Sequence, residues 1–263
     1  FKKENPFQTV IGFGGGATGF GAHSSAVSKP YMEDLFSTYL YDGSDSPQTI
    51  TNGMNLAGGG LTILKARDFG RGFAWIDTVR GATKAIQTDG QSAEATENNS
   101  ITAFNNNGFT VGGNDGTYSD AGYKYASYSF KKQEKFLDIV KFTFDSSSAA
   151  TSTAVPHSLG VKPGMVIFKQ LTGTGSNWFT WHRGLYADTA YYLYLNASTQ
   201  QDINGAFFGT AHTSTTFCTS NSSSYDGEEF IAYVFAGGES TAATARSVDF
   251  DGTNDYLYSA PST

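Results

Sequence analysis

The sequence predicts an all-β fold: two tandem, related β-sandwich domains of jelly-roll-like type behind a glycine-rich N-terminal arm. Composition is the first reason. Of 263 residues only 16% are charged, while 15% are aromatic and 31 are glycine. A helical bundle would carry more Leu, Lys and Glu and sit nearer the ~25% charge of an average globular chain. Aromatic and β-branched residues suit strands, and Gly, Asn, Asp and Ser suit turns. The second reason is rhythm, because short alternating runs are broken by turn residues every ~8–12 positions. The third is an internal repeat, which sets the boundaries: arm 1–30, first sandwich 31–132, second sandwich 133–239, and 240–263 leading into a further domain or docking on a neighbour.

Taken in order, residues 1–30 read as irregular. The run GFGGGATGFG (Gly12 to Gly21) lacks the strand, helix and Lys-Ser/Thr that a phosphate loop requires, so it reads as a connector or packing arm. Leu35 to Tyr41 alternates and ends at DGSDSP, a strand into a turn. From there the two copies run in parallel. QTITNGMNLAGGGLTILKAR (48–67) matches TAVPHSLGVKPGMVIFK (153–169), each ending a strand on a lysine, Lys65 and Lys169. FAWID matches WFTWH, each followed by Arg-Gly (Arg80-Gly81, Arg183-Gly184). ATKAIQTDGQSAE matches TAYYLYLNASTQQD, NGFTVGG matches TTFCTSN, and AGYKYASYSF matches DGEEFIAYVF. Corresponding positions lie about 104–108 residues apart. KFLDIVKFTF (Lys135 to Phe144) is expected to open the second copy as Leu35 to Tyr41 opens the first. FIAYVF is almost wholly apolar and predicts a central strand covered on both faces; YKYASYSF alternates aromatic with small polar residues and predicts one wet face. After ESTAATAR, SVDFDGTNDYLY reads as a strand, a turn and the start of another strand.

Charge and cysteine count remove several functions. A net charge of -7 without a Lys/Arg cluster lacks the footprint of a nucleic-acid binder. No apolar run approaches the ~20 residues of a membrane span. With one cysteine, Cys218, the chain has neither an internal disulfide nor a cysteine-based zinc site, and in a strand that thiol reads as small buried filling. Phe1 opens the chain without a signal-peptide pattern, which suits an internal piece of something longer.

The residues of chemically capable types read as structural. His23, His157, His182 and His212 fall on loops and turns with no metal-ligand spacing. His182, whose repeat counterpart is Asp77, reads as a strand-end residue that satisfies a loop. Glu94 with Glu97, Glu228 with Glu229 and Asp249 with Asp251 are the carboxylate pairs available for glycoside hydrolysis, all in turn-rich or solvent-facing contexts. The Asp/Asn/Gly clusters at 42–45, 114–116 and 251–255 match no calcium loop and read as turns. The sequons at Asn98, Asn196 and Asn221 have meaning only in a eukaryotic secretory setting. Tyr118, Tyr186, Tyr191, Tyr192, Tyr194 and Tyr225 are the aromatics nearest strand ends and loops, where rings contact sugars or proteins. No catalytic residue, metal ligand or cofactor is expected, and no binding residue is singled out.

Set together, DLFSTYLYDGSDSPQTITNGMNLAGGG, WIDTVRGATK, FNNNGFTVGG and KFLDIVKFTF, with VPHSLGVKPGMVIFK, NWFTWHRGL, YLYLNAS and FIAYVFA from the second copy, resemble a domain of structural proteins of tailed bacteriophages, especially those of marine cyanobacteria. The resemblance covers roughly residues 33–238. SVDFDGTNDYL is similar to the entry strand of laminin-G or concanavalin-like sandwiches. The resemblance implies a non-enzymatic virion component (tail fibre, tail appendage or capsid-surface protein) on the particle exterior. Its partners would be other virion proteins, itself as a homo-oligomer such as a trimer, and a host-surface glycan or protein, with no nucleic acid and no membrane insertion. The alternatives are a secreted carbohydrate-binding module and a polysaccharide-cleaving enzyme, the latter requiring two acids about 5–10 Å apart across a groove.

Overall fold

The computed structural model describes residues 31–145, 152–185, 191–199, 208–209, 211–220 and 223–238, and these form an all-β fold. The arm at 1–30, with its glycine run and His23, and the tail from 239 lie outside the described residues.

The first half supplies β1 (Phe36–Asp42), β2 (Gln48–Thr51), β3 (Gly60–Ala66), β4 (Ala74–Asp77), β5 (Lys84–Gln87), β6 (Ala95–Thr96), β7 (Ile101–Asn105), β8 (Gly108–Val111) and β9 (Lys124–Lys131). The second supplies β10 (Leu137–Thr143), β11 (Ser152–Pro156), β12 (Pro163–Gln170), β13 (Phe179–His182), β14 (Leu193–Tyr194), β15 (Thr216–Ser220) and β16 (Glu229–Ala236). Two large antiparallel sheets result, in the orders β1-β9-β3-β4-β5-β6 and β10-β16-β12-β13-β14. Each half adds a small sheet, β2-β8-β7 and β11-β15. Exchanging β1, β9, β3, β4 and β5 for β10, β16, β12, β13 and β14 turns the first order into the second, β6 having no counterpart among the described residues, so the sequence repeat is also a repeat of topology. Register agrees: Leu61 and Ile63 face Phe130 and Tyr128 as Met165 and Ile167 face Phe235 and Tyr233.

Alternation along the strands divides the apolar residues among three cores. Leu64, Ile76 and Tyr125 turn inward against Ile50, Phe109 and Val111 of the first small sheet. Val166, Phe168 and Phe230 do the same with Val155 and Phe217 in the second half. The intervening residues form a third core shared by both halves: Leu61, Ile63, Trp75 and Ile86 from one large sheet meet Ile167, Trp178, Ile231 and Tyr233 from the other. Four layers therefore stack, with the large sheets face to face. Trp75 is the hub of the seam, its ring 5.0 Å from that of Trp178 and 4.9 Å from that of Tyr233.

β16 is central in its sheet and buried on both faces, as its run of apolar residues predicts. β9 meets expectation only in part, for its serine face is buried and its aromatic face is half-buried. Ser127 and Ser129 are fully buried, Ser129 accepting a hydrogen bond from Asn52 and sharing one with Thr62. The opposite face, Tyr128 and Phe130, is half-buried against the second half, where Phe130 meets Phe235 edge-on at 6.0 Å. The second half covers part of what the first half alone would leave to water.

Close approach of the halves constrains the backbone too. Gly175 has φ +83°, and a Cβ there would lie 1.9 Å from the carbonyl oxygen of Gln91. Only glycine fits.

Trp178→Ala should cost about 3–5 kcal/mol, since a fully buried indole leaves a cavity at the centre of the seam. Urea unfolding of the wild type should show one transition for both halves; two separated transitions would mean that the shared core does not couple them.

Candidate functional site

The seam holds the most highly organised polar group of the molecule. Alternation puts Asp77, at the end of β4, on the same face as Trp75, and the following turn brings Arg80 back over it. Asp77 Oδ1 accepts the backbone N–H groups of Val79 and Arg80, both at 2.9 Å. Its Oδ2 accepts Arg80 Nε at 2.5 Å and the Tyr233 hydroxyl, from β16 of the other half, at 2.9 Å. Arg80 also donates to the Trp75 carbonyl (2.7 Å), to Tyr233 Oη (3.2 Å) and to Glu94 (3.4 Å). Both the Asp77 and Arg80 side chains are essentially inaccessible to water. Burial works against the Arg80 charge, but Tyr233, Asp77 and Glu94 hold its pKa above the ordinary guanidinium value. Burial keeps Tyr233 protonated despite Arg80, so its hydroxyl is a donor to Asp77. An isolated buried ion pair pays heavily in desolvation; this one has its lone pairs and protons nearly all engaged.

The repeat explains the strand-end residues. His182, the counterpart of Asp77, accepts the Gly184 N–H on Nδ1 at 3.0 Å, the same turn-closing job with a different side chain. Likewise Asn52 Oδ1 accepts the Met54 N–H at 3.2 Å, and His157 Nδ1 accepts the Leu159 N–H at 3.2 Å. His157 is buried, which lowers its pKa against the pull of Asp138. His212 Nδ1 accepts the Cys218 N–H at 3.1 Å. Cys218 is a buried thiol in β15, as expected.

The acid pairs separate. Glu94 is ion-paired to Arg80 and Lys84 (3.4 and 3.8 Å) and belongs to the seam, whereas Glu97 lines a pocket. Glu228 accepts from Thr172, and Glu229 pairs with Lys141 at 2.9 Å. Asp249 and Asp251 lie outside the described residues, as do Tyr186, Asn221 and the cluster at 251–255. The other Asp/Asn/Gly clusters close turns: Asp45 accepts the Ala121 N–H and Asp115 the Thr117 N–H. Among the described residues no group of three or more His, Cys, Asp or Glu is placed to hold a metal ion. Asn98 is exposed, but the Asn196 amide is consumed by Trp178, Asn177 and Gly90. Of the flagged tyrosines, Tyr118 and Tyr192 are core, and Tyr191, Tyr194 and Tyr225 are half-buried.

Three surface features remain. The outer edge of β1 pairs with no strand among the described residues. It exposes Tyr39 (41%) and Leu40 (60%), with Tyr31 (67%) and Met32 (63%) just before it. A groove of about 440 Å³ runs along the seam, lined by Ile63, Phe73, Trp75, Tyr128, Phe130 and Leu195. The Lys65 ammonium lies 5.7 Å from the Phe73 ring centre at this groove. Sequence reasoning missed the groove because its lining brings together one face of β3, β4 and β9 and Leu195 from a loop of the other half. A smaller, polar pocket of about 250 Å³ lies at the β5–β6 hairpin.

Residues 32–245 match a family described as "Domain of unknown function (DUF7483)". The chain belongs to this family. The DUF7483 match runs unbroken across the seam and covers all the strands of both halves. No curated protein and no solved structure matches the chain.

Within this DUF7483 fold, Arg80→Met strands the Asp77 carboxylate and should cost about 3–5 kcal/mol, whereas Tyr233→Phe removes one charged hydrogen bond and should cost about 1.5–3. Chemical denaturation of both variants checks the order. Lys169, the counterpart of Lys65, is fully buried and donates to the carbonyls of Gln91 (3.1 Å) and Gln170 (3.3 Å). Burial lowers its pKa from 10.5 to about 8. The folded state thus prefers neutral lysine, and this preference adds stability as pH rises from 8 to 10.5. Wild type should gain on Lys169→Met across that window; a constant difference between them would refute the assignment.

Proposed function

We propose that the chain is a non-enzymatic structural and adhesion component of a tailed-phage particle, a tail fibre, tail appendage or capsid-surface protein that makes assembly contacts with copies of itself and with other virion proteins. The motif resemblance over residues 33–238 supports the class, and the edge of β1, unpaired among the described residues, carries the contact. An unpaired strand edge is a template for another chain, and proteins that stay apart guard such edges with Lys, Pro or a bulge. β1, FSTYLYD, has none of these among its central residues and presents Tyr39 and Leu40 instead. Its seven residues offer enough backbone for a continuous ladder with a second strand. The shared core beneath keeps the two halves in one rigid register, which suits a part that bears load. Attachment to a host surface then gains from many weak contacts acting together.

Native mass measurement of the purified protein should show a stable oligomer, and antibody to it should label purified particles. Leu40→Lys places a charge on the edge at an exposed site where stability changes stay within about ±0.5 kcal/mol. It should shift the oligomer to monomer with the melting temperature unchanged. A wild-type monomer absent from particles would end this reading and favour a secreted sugar-binding module.

A further inference from the structure

Along β1 the backbone alternates as the side chains do. At the two ends of its ladder with β9, the Lys131 N–H donates to the Leu35 carbonyl and the Gly43 N–H to the Tyr123 carbonyl, both at 2.8 Å. Odd-numbered residues therefore turn their N–H and C=O groups toward β9, and Phe36, Thr38, Leu40 and Asp42 turn theirs outward. Of these outward groups a described residue engages only the Asp42 carbonyl, which accepts the Gln48 amide at 2.9 Å.

The second half shows the same rim closed. β10, the repeat counterpart of β1, is the other seven-residue strand at the rim of a large sheet. Its ladder with β16 leaves Leu137, Ile139, Lys141 and Thr143 facing outward, because the Phe136 carbonyl accepts the Ala236 N–H and the Phe144 N–H donates to Glu228. Leu137 spends both backbone groups on Gln133, at 2.9 and 3.0 Å, and the Ile139 N–H goes to Asp138 Oδ1 at 2.8 Å. Lys141, a charge of the kind that guards an edge, follows. The remaining rims of the large sheets, β6 and β14, have two residues each, and those of the small sheets have four or five. Among the described residues β1 is the long rim left able to pair, and a second copy offers the same strand.

We infer that the partner of β1 is β1 of a second copy, antiparallel about a two-fold axis at Tyr39; this rests on the self-assembly reading above and gives it a geometry. Thr38 of each copy lies opposite Leu40 of the other and exchanges backbone hydrogen bonds with it. Phe36 lies opposite Asp42, and Tyr39 faces Tyr39 as a non-hydrogen-bonded pair with Cα atoms ~4.5 Å apart. Charge selects this direction. Asp42, the one charged residue of β1, falls beside an aromatic ring, whereas parallel pairing would set two Asp42 carboxylates together. The ladder joins two six-stranded sheets into one and covers the exposed Tyr39 and Leu40. Because both copies use the same edge, it closes as a dimer and does not propagate.

The test uses the full chain. Its native mass should be that of a dimer. Oxidised Tyr39→Cys should run as a covalent dimer on a non-reducing gel, since ~4.5 Å between Cα atoms is within disulfide reach. Thr38→Cys sets its two Cα atoms ~8–9 Å apart, beyond that reach, and wild type has only the buried Cys218; both should crosslink at least tenfold less. Thr38→Pro deletes an outward N–H and no bond to β9, so it should be a folded monomer by circular dichroism. A wild-type monomer overturns the inference. So does an oligomer that Thr38→Pro leaves intact, or one in which Tyr39→Cys crosslinks no better than Thr38→Cys. In those two cases the contact lies elsewhere on the surface and the virion reading stands, to be decided by antibody labelling of particles. If Thr38→Pro fails to fold, the crosslinking ratio decides alone.

Discussion

The architecture depends on the carboxylate of Asp77. It closes the turn after β4, neutralises Arg80 and receives the hydroxyl of Tyr233, so one side chain joins a local turn, a buried cation and the opposite sheet. Around it the indoles of Trp75 and Trp178 and the aliphatic residues of both large sheets exclude water, which strengthens each of its bonds. Arg80 extends the same network to Glu94 and so to the loop that lines the small pocket. Seam, loop and pocket are successive consequences of one buried charge.

Much of this was legible beforehand, and the limits are physical. The strands and their correspondence between copies followed from the repeat because each strand carries its own alternating pattern and turn, and FIAYVF announced a central strand by lacking polar positions. The pairing of Asp77 with His182 came from alignment alone, and the structure gives both the same work at a turn. The seam was not legible. Tyr128 and Phe130 alternate with serines in a way that resembles a half-wet strand, and only the second half decides how far their face is covered. The serines mislead as well, for Ser127 and Ser129 are polar yet buried, and Ser129 is satisfied by Asn52 and Thr62, residues distant in sequence.

The same holds for the sites. Tyr118 stands among the tyrosines that sequence marks as contact residues, but the signal there is position near a loop, which Tyr192 shares while lying wholly in the core. Both hydroxyls lie inside: Tyr192 shares a 3.2 Å bond with Tyr194, and Tyr118 lies against Gln87. Hydrogen-bond satisfaction is a three-dimensional property. Phe73 and Leu195, 122 positions apart by their numbers, meet at one groove for the same reason.

Divergence between the copies is concentrated on the faces that meet. Tyr233 corresponds to Tyr128, Asp77 to His182, Trp75 to Thr180, and the buried Lys169 to the half-exposed Lys65. The bond from Tyr233 to Asp77 therefore runs in one direction only. Two second halves could not make it, since they would present His182 where the carboxylate is required, whereas the first half keeps a tyrosine, Tyr128, at the position of Tyr233. Tandem repeats in one chain risk pairing with the wrong copy while they fold, within a molecule or between neighbours. Here the difference between Asp77 and His182 gives the nascent chain a reason not to pair two second halves.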